Sequence, residues 1–172
     1  MGRDFLLVDG YNVIHAWPEL LRLVDENLDH AREKLVMALA EYAHLTGCRV
    51  WVVFDAHGVK NAACRQENVD GVEVVFTKEG ETADSFIERM AGELGVSGGT
   101  VYVATSDWAE QRLVLGRGAY RLTPAELKRM VNKARQESKK FYTDAVPADA
   151  YLENRLSKKV KTLLEKLRRQ RF

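Results

Sequence analysis

Phe5-Leu6-Leu7-Val8-Asp9-Gly10-Tyr11-Asn12 reads as a short apolar strand that delivers a carboxylate and then a carboxamide into a tight turn. Strand ends of this kind are where α/β proteins place their chemistry. The pattern recurs at Val50-Trp51-Val52-Val53-Phe54-Asp55 and at Val101-Tyr102-Val103-Ala104-Thr105-Ser106-Asp107. Three apolar segments therefore each finish in an aspartate. If they are parallel strands of one sheet, their carboxyl ends share an edge and the acids can converge despite their separation in sequence.

The rest of the chain supports a parallel sheet. Periodicity predicts strands over 5–8, 50–54, 72–76, 100–104 and 118–122, with helices over about 29–46, 82–94, 107–115 and 124–142 and a polar loop after the second strand. Such alternation implies an α/β fold, a mainly parallel sheet with helices on both faces. Segments 50–54 and 101–104 are almost wholly apolar, as central strands covered on both sides must be. Ala83, Phe86, Ile87, Met90, Ala91 and Leu94 fall at helical spacing on one face. Thr123-Pro124-Ala125-Glu126 combines an N-cap hydroxyl, a first-turn proline and a capping-box glutamate. After Pro147, Leu152, Leu156, Val160, Leu163, Leu164 and Leu167 recur at three- and four-residue steps, the stripe of a basic amphipathic helix. The expected division is a domain over 1–145 and a C-terminal helix over 146–172. Three alternatives stay open for that helix: docking on the domain, lying against a partner, or being partly free until a partner is present.

A hydrophobic content of 46% in 172 residues suffices for the core of one domain. No segment approaches the roughly 20 apolar residues of a membrane span, and a basic-then-apolar leader is missing, so the expected location is cytoplasmic with no membrane partner. Cys48 and Cys64 lack both CxxC spacing and a matching set of histidines, which argues against a zinc site or a disulfide framework. The net charge of +1 conceals an asymmetry. Residues 1–124 carry 12 Lys and Arg against 19 Asp and Glu, a net −7, whereas residues 125–172 carry 14 against 6, a net +8. An acidic body with a basic tail suits a polyanionic partner such as RNA; a solvated helix face is the plainer reading of the tail.

Asp9, Asn12, Asp55, Asp84 and Asp107 map to the carboxyl edge, with Ser106 beside the last. Carboxylates gathered there repel one another unless a cation lies among them. All-oxygen ligands select a hard divalent ion, Mg²⁺ or Mn²⁺. The chemistry that follows is phosphodiester hydrolysis. Asp9, Asp84 and Asp107 are assigned as metal ligands, direct or through water, and Asn12 and Ser106 as orienting groups. Asp55 serves the site or only its own turn. Each position has a plain alternative as a turn or cap residue, Ser106 as an N-cap among them. Their joint occurrence favours the site. His57 reads as a surface or structural residue with substrate contact as the alternative, and Trp17, Trp51 and Trp108 as packing residues, with Tyr11, Trp17 or Trp108 near enough to the edge to stack on a base.

Leu7-Val8-Asp9-Gly10-Tyr11-Asn12, Val53-Phe54-Asp55-Ala56-His57, Phe76-Thr77-Lys78-Glu79, Glu81-Thr82-Ala83-Asp84 and Ala104-Thr105-Ser106-Asp107 together resemble the NYN domain family, specifically its YacP-like branch. The resemblance covers almost the whole chain. It implies a three-layer PIN-like, Rossmann-like fold and a metal-dependent ribonuclease with Asp9, Asn12, Asp84, Ser106 and Asp107 in the active site and Asp55 in support. It further implies a ribosomal partner, because members of this branch are endoribonucleases that cut messenger RNA on the translating ribosome, in or near the A site.

Two function classes follow. The first is a metal-dependent endoribonuclease acting on single-stranded mRNA. The alternative is a noncatalytic ribosome- or RNA-binding module whose affinity comes from residues 125–172. For both, the basic residues Lys133, Arg135, Lys139, Lys140, Lys158, Lys159, Lys161, Arg168 and Arg169 are the expected contacts to RNA or ribosome. An aspartyl phosphotransferase is disfavoured because Tyr11 stands two residues after Asp9, where a second acid is usual. A dinucleotide-binding site is disfavoured by the lack of GxGxxG after the first strand.

Overall fold

The structure is a computed structural model that describes residues 4–56, 63–106 and 119–145, with side chains through Phe141. In chain order the elements are β1 (Phe5–Asp9), α1 (Gly10–Ala16), α2 (Pro18–Val24), α3 (Leu28–Thr46), β2 (Arg49–Phe54), β3 (Arg65–Val69), β4 (Val72–Phe76), α4 (Ala83–Val96), β5 (Val101–Ala104), β6 (Tyr120–Leu122) and α5 (Pro124–Ala145). They build a six-stranded sheet in the order β3-β4-β2-β1-β5-β6. All neighbours are parallel except β3 and β4, which form an antiparallel hairpin. The expected mainly parallel α/β sheet is present, with an antiparallel strand at one edge.

Side-chain parity divides the core into two layers. Leu6, Val8, Val50, Val52, Phe54, Val72 and Val74 pack with Val13, Ile14, Leu20, Leu35, Leu39, Leu127 and Val131 from α1, α2, α3 and α5. On the opposite face Phe5, Leu7, Val53, Val75, Val101 and Val103 pack with Phe86, Ile87 and Ala91 of α4. Burial on both faces explains why the central strands carry almost no polar residue. The same parity aims Asp9 and Asp55, which follow Leu7 and Val53 by two, toward the α4 side.

Three segments differ from the sequence reading, among them α2 (Pro18–Val24), for which periodicity predicted no element. Asp9 is not followed by a tight turn. Its carboxylate caps a helix, Oδ1 accepting from Asn12 N at 3.1 Å, so β1 runs straight into α1. The supposed polar loop after β2 contains β3, whose residues Arg65–Val69 are all exposed. It is held by pairing with β4 and by Gln66 and Asn68, which donate to the Glu73 carboxylate at 3.1 and 2.7 Å. Asp70 and Gly71 close the hairpin, both at positive φ (48° and 87°), as a two-residue loop between twisted strands requires.

Trp17, 4% exposed, ties the α1–α2 junction to the start of α5 by donating from Nε1 to the Pro124 carbonyl at 2.8 Å. Packing divides the chain into two units, Met1–Arg135 and Gln136–Phe172. The sheet and the site described next belong to the first. The helix anticipated over 107–115 and the C-terminal helix over 146–172 lie outside the described residues, and the boundary expected between 145 and 146 falls where the described residues end.

Candidate active site

From β1, strands β2 and β4 lie on one side and β5 and β6 on the other. The crevice beyond the carboxyl ends of β1 and β5 is therefore the point where strand order reverses, the usual ligand position in open α/β sheets. A chain of hydrogen bonds crosses it. The Asn12 amide donates from Nδ2 to Asp9 Oδ2 at 2.6 Å, while its Oδ1 accepts from the Ser106 hydroxyl. Both sides of the carboxamide are thereby used, which fixes its orientation and joins the first turn of α1 to the end of β5.

Asp9 is 5% exposed. Burial pushes its carboxyl above the usual carboxylate range, the Asn12 hydrogen bonds work in the opposite direction, and the charges of Asp84 and Asp55 raise it further. Through this repulsion the three acids share one electrostatic environment. Asp84 is exposed in the first turn of α4, where Thr82 caps the helix by accepting from Ser85 N at 3.2 Å. Asp55 is half-buried just beyond β2. Among the described residues no three of the His, Cys, Asp and Glu side chains stand close enough to share one ion. Asp107, the remaining assigned ligand, lies outside the described residues, as do His57 and Trp108. The donor set itself, carboxylate oxygens with mutual repulsion to relieve, fits a hard divalent cation.

Sequence reasoning gave no role to several residues that hold this edge. Thr77 and Thr105 are fully buried polar residues at the ends of β4 and β5. Thr77 donates from its backbone N to the Phe54 carbonyl at 3.0 Å, and its Oγ1 accepts from Ala56 N at 3.1 Å, fixing the chain on either side of Asp55. Thr105 N donates to the Leu122 carbonyl at 3.1 Å and so holds β5 up to Ser106. A polar residue just past a buried strand was the available signal. Arg32 of α3 donates from both Nε, at 3.1 Å, and Nη2 to the Tyr11 hydroxyl and pairs with Asp29; no spacing in the sequence announces that contact.

Of the other candidates, Trp17 and Trp51 pack, the latter against Phe5 at 5.9 Å, and His15 donates from Nδ1 to the Tyr11 carbonyl at 2.8 Å. Cys48 and Cys64 are free thiols; burial above all, with Asp4 beside it, pushes Cys48 up to about 12. Among the basic residues, Arg135 forms an ion pair with Glu41 at 2.7 Å, and Lys133, Lys139 and Lys140 are exposed on α5. Lys158, Lys159, Lys161, Arg168 and Arg169 lie outside the described residues.

The model of the YacP-like NYN domain matches residues 6–169. The chain belongs to this family. It is 50% identical over 128 residues to the protein YacP of Bacillus subtilis (strain 168), an alignment covering 74% of this chain and 75% of that one. The crystal structure of Rae1 (YacP) from Bacillus subtilis superposes with a TM-score of 0.70 at 43% identity, over 96% of this chain and 95% of that chain. A mutant form of Rae1 superposes with a TM-score of 0.71 at 38% identity, over 95% and 99%. The PIN-like fold is consistent with the NYN domain, and membership supports a nuclease-type function for this chain. NYN and PIN-like nuclease domains generally use divalent metals. No helix among the described residues is long and apolar enough to cross a membrane.

Proposed function

We propose that the protein is a cytoplasmic metal-dependent endoribonuclease that hydrolyses phosphodiester bonds of mRNA in association with the translating ribosome, at or near the A site. The observation that carries the catalytic part is the buried Asp9 carboxylate, clamped by Asn12 and Ser106 across the switch point and repelled by Asp84 and Asp55. Asp9, Asp84 and Asp107 would hold Mg²⁺ or Mn²⁺, which supplies an activated water and charge stabilisation at the scissile phosphate. Asn12 keeps the Asp9 oxygens in a fixed direction, and Ser106 keeps the amide from rotating. Asp55 adds negative charge to the same edge. The ribosomal part rests on the family resemblance and on the basic segment 125–172.

The deciding experiment maps mRNA 5′ ends in a reconstituted translation reaction. Wild type should create new ends in register with ribosome position. Asp9→Asn should lose more than the roughly 10- to 100-fold that removal of an outer-shell partner costs a metal site, while its unfolding transition stays cooperative. The net +8 of residues 125–172 favours a second reading, a binding module without catalysis. Ribosome binding with no new ends in the wild-type reaction would decide for that reading.

A further inference from the structure

A second concave feature adjoins the acidic edge. A groove of about 330 Å³ runs between α3 and the β3–β4 hairpin, lined by Arg32, Met37, Arg65, Val69 and Phe76, with Asp29, Glu33 and Glu67 at its rim. Its floor is aromatic. Phe54 and Phe76 end β2 and β4, their rings stacked at 5.4 Å, and Tyr11 of α1 packs on Phe54 at 5.2 Å. Two guanidinium groups cover this floor. Arg32 lies 5.4, 5.8 and 5.9 Å from the ring centres of Tyr11, Phe54 and Phe76, and Arg65 lies 4.8 Å from that of Phe76. The Arg65 side chain is 66% exposed, so its guanidinium is reachable from solvent. Met37 (61%) and Val69 (38%) are exposed apolar neighbours.

We propose that this groove holds one unpaired base of a single-stranded RNA, stacked on the Arg65 guanidinium over Phe76. The inference rests on the nuclease reading and gives it a nucleotide subsite. Shape and charge select the occupant. Both arginines are already paired with carboxylates, Arg32 with Asp29 and Arg65 with Glu67 at 3.5 Å, so with Glu33 the lining has no excess positive charge for a phosphate. An uncharged, flat aromatic ring whose edge bears both donors and acceptors matches a surface of guanidinium planes and rim carboxylates. The volume is at the small end of ligand sites, sufficient for a nucleoside and not for a duplex. Phe54, which lines the groove, immediately precedes Asp55 and packs on Tyr11, the neighbour of Asn12, so the groove lies next to the acidic edge.

The test uses the full chain in EDTA with a short oligouridylate carrying 4-thiouridine. Irradiation should give adducts that map to residues 65–76 or to Met37. Arg65→Gln, at an exposed edge position, should weaken binding of the unmodified oligonucleotide about five-fold or more and leave unchanged the binding of an abasic backbone of equal length. Met37→Glu, a rim change on the surface of α3, should do the same. Adducts confined to residues 125–172, or an equal loss for the abasic backbone, would overturn the subsite. A variant that keeps RNA binding but loses association with ribosomes would assign the groove to a protein partner, and overturns it too. Asp9→Asn should retain the adducts, so loss of the nuclease reading and loss of the subsite register separately.

Discussion

At Gly10 a hydrogen atom in place of a methyl group determines whether β1 can deliver Asp9. A Cβ there would lie 2.3 Å from Phe54 Cε1 and 2.5 Å from Cδ1. Phe54 is fully buried, packed against Tyr11 and Phe76 with the Arg32 guanidinium over its ring, so the ring can withdraw only by displacing those neighbours. Gly10→Ala should lower stability by about 1–3 kcal/mol in denaturant titrations, and Phe54→Leu in that background should recover part of the loss, a coupling seen as non-additivity. Equal stability of Gly10→Ala and wild type would show that the close approach is not a constraint. Asp9 supports a second expectation. If its carboxylate helps hold a cation, Mg²⁺ or Mn²⁺ should raise the wild-type Tm, by an amount equivalent to about 2.7 kcal/mol at a hundredfold excess over Kd, and EDTA should reverse it. Asp9→Asn should show no such shift. A retained shift would place the cation elsewhere. At this scale the acids and Asn12 were legible because strand-end polar residues stand out against apolar runs. Thr77, Thr105 and the Tyr11–Arg32 contact were not, because each acts through a partner brought near only by folding.

Helix and strand signals differ in how much of their cause is local. The start of α5 could be read because its cap closes within four residues. Glu126 Oε2 accepts from Thr123 N at 2.7 Å and from its hydroxyl at 2.9 Å, and Thr123 Oγ1 accepts in turn from Glu126 N at 3.2 Å. These hydrogen bonds, from the Thr123 backbone first and then its side chain, hold the Glu126 carboxyl below its usual range. A depressed folded value means that the ionised form stabilises the fold, fully above the unfolded value of 4.5 and progressively less as pH falls through the folded value. Glu126→Ala should therefore cost about 0.3–1.5 kcal/mol at pH 7, and the gap between wild type and variant should narrow on acidification below about pH 4.5. A gap independent of pH would assign the effect to packing. By contrast α1 was hidden, since the aspartate that caps it is also the candidate site acid and Gly10 and Asn12 suggest a turn. β3 was hidden because Arg65-Gln66-Glu67-Asn68-Val69 buries nothing; its pairing with β4 is non-local information.

Across the whole chain, the parallel order of the sheet was legible from alternation, while the placing of β1 between β2 and β5, which creates the crevice, was not. Strand order depends on which crossover turns back, a choice made by packing of α1–α3 on one face and α4 on the other. Charge distribution was legible throughout, and it bears on partner choice rather than fold. A body of net −7 opposes a polyanion at long range, so attraction must come from the net +8 of residues 125–172. Arg135 is already paired with Glu41, which shifts the expected contribution toward the lysines beyond it. Replacement of Lys158, Lys159 and Lys161 by Glu should then reduce co-sedimentation with ribosomes and flatten its dependence on salt, by roughly 0.7 in log–log slope for each phosphate of single-stranded RNA that is no longer neutralised. The same protein should keep the Mg²⁺-dependent rise in Tm, because none of those lysines is among the candidate ligands. Unchanged co-sedimentation at every salt concentration would remove these three lysines from recruitment. Attraction would then have to arise from the other basic residues of 125–172, Arg168 and Arg169 among them.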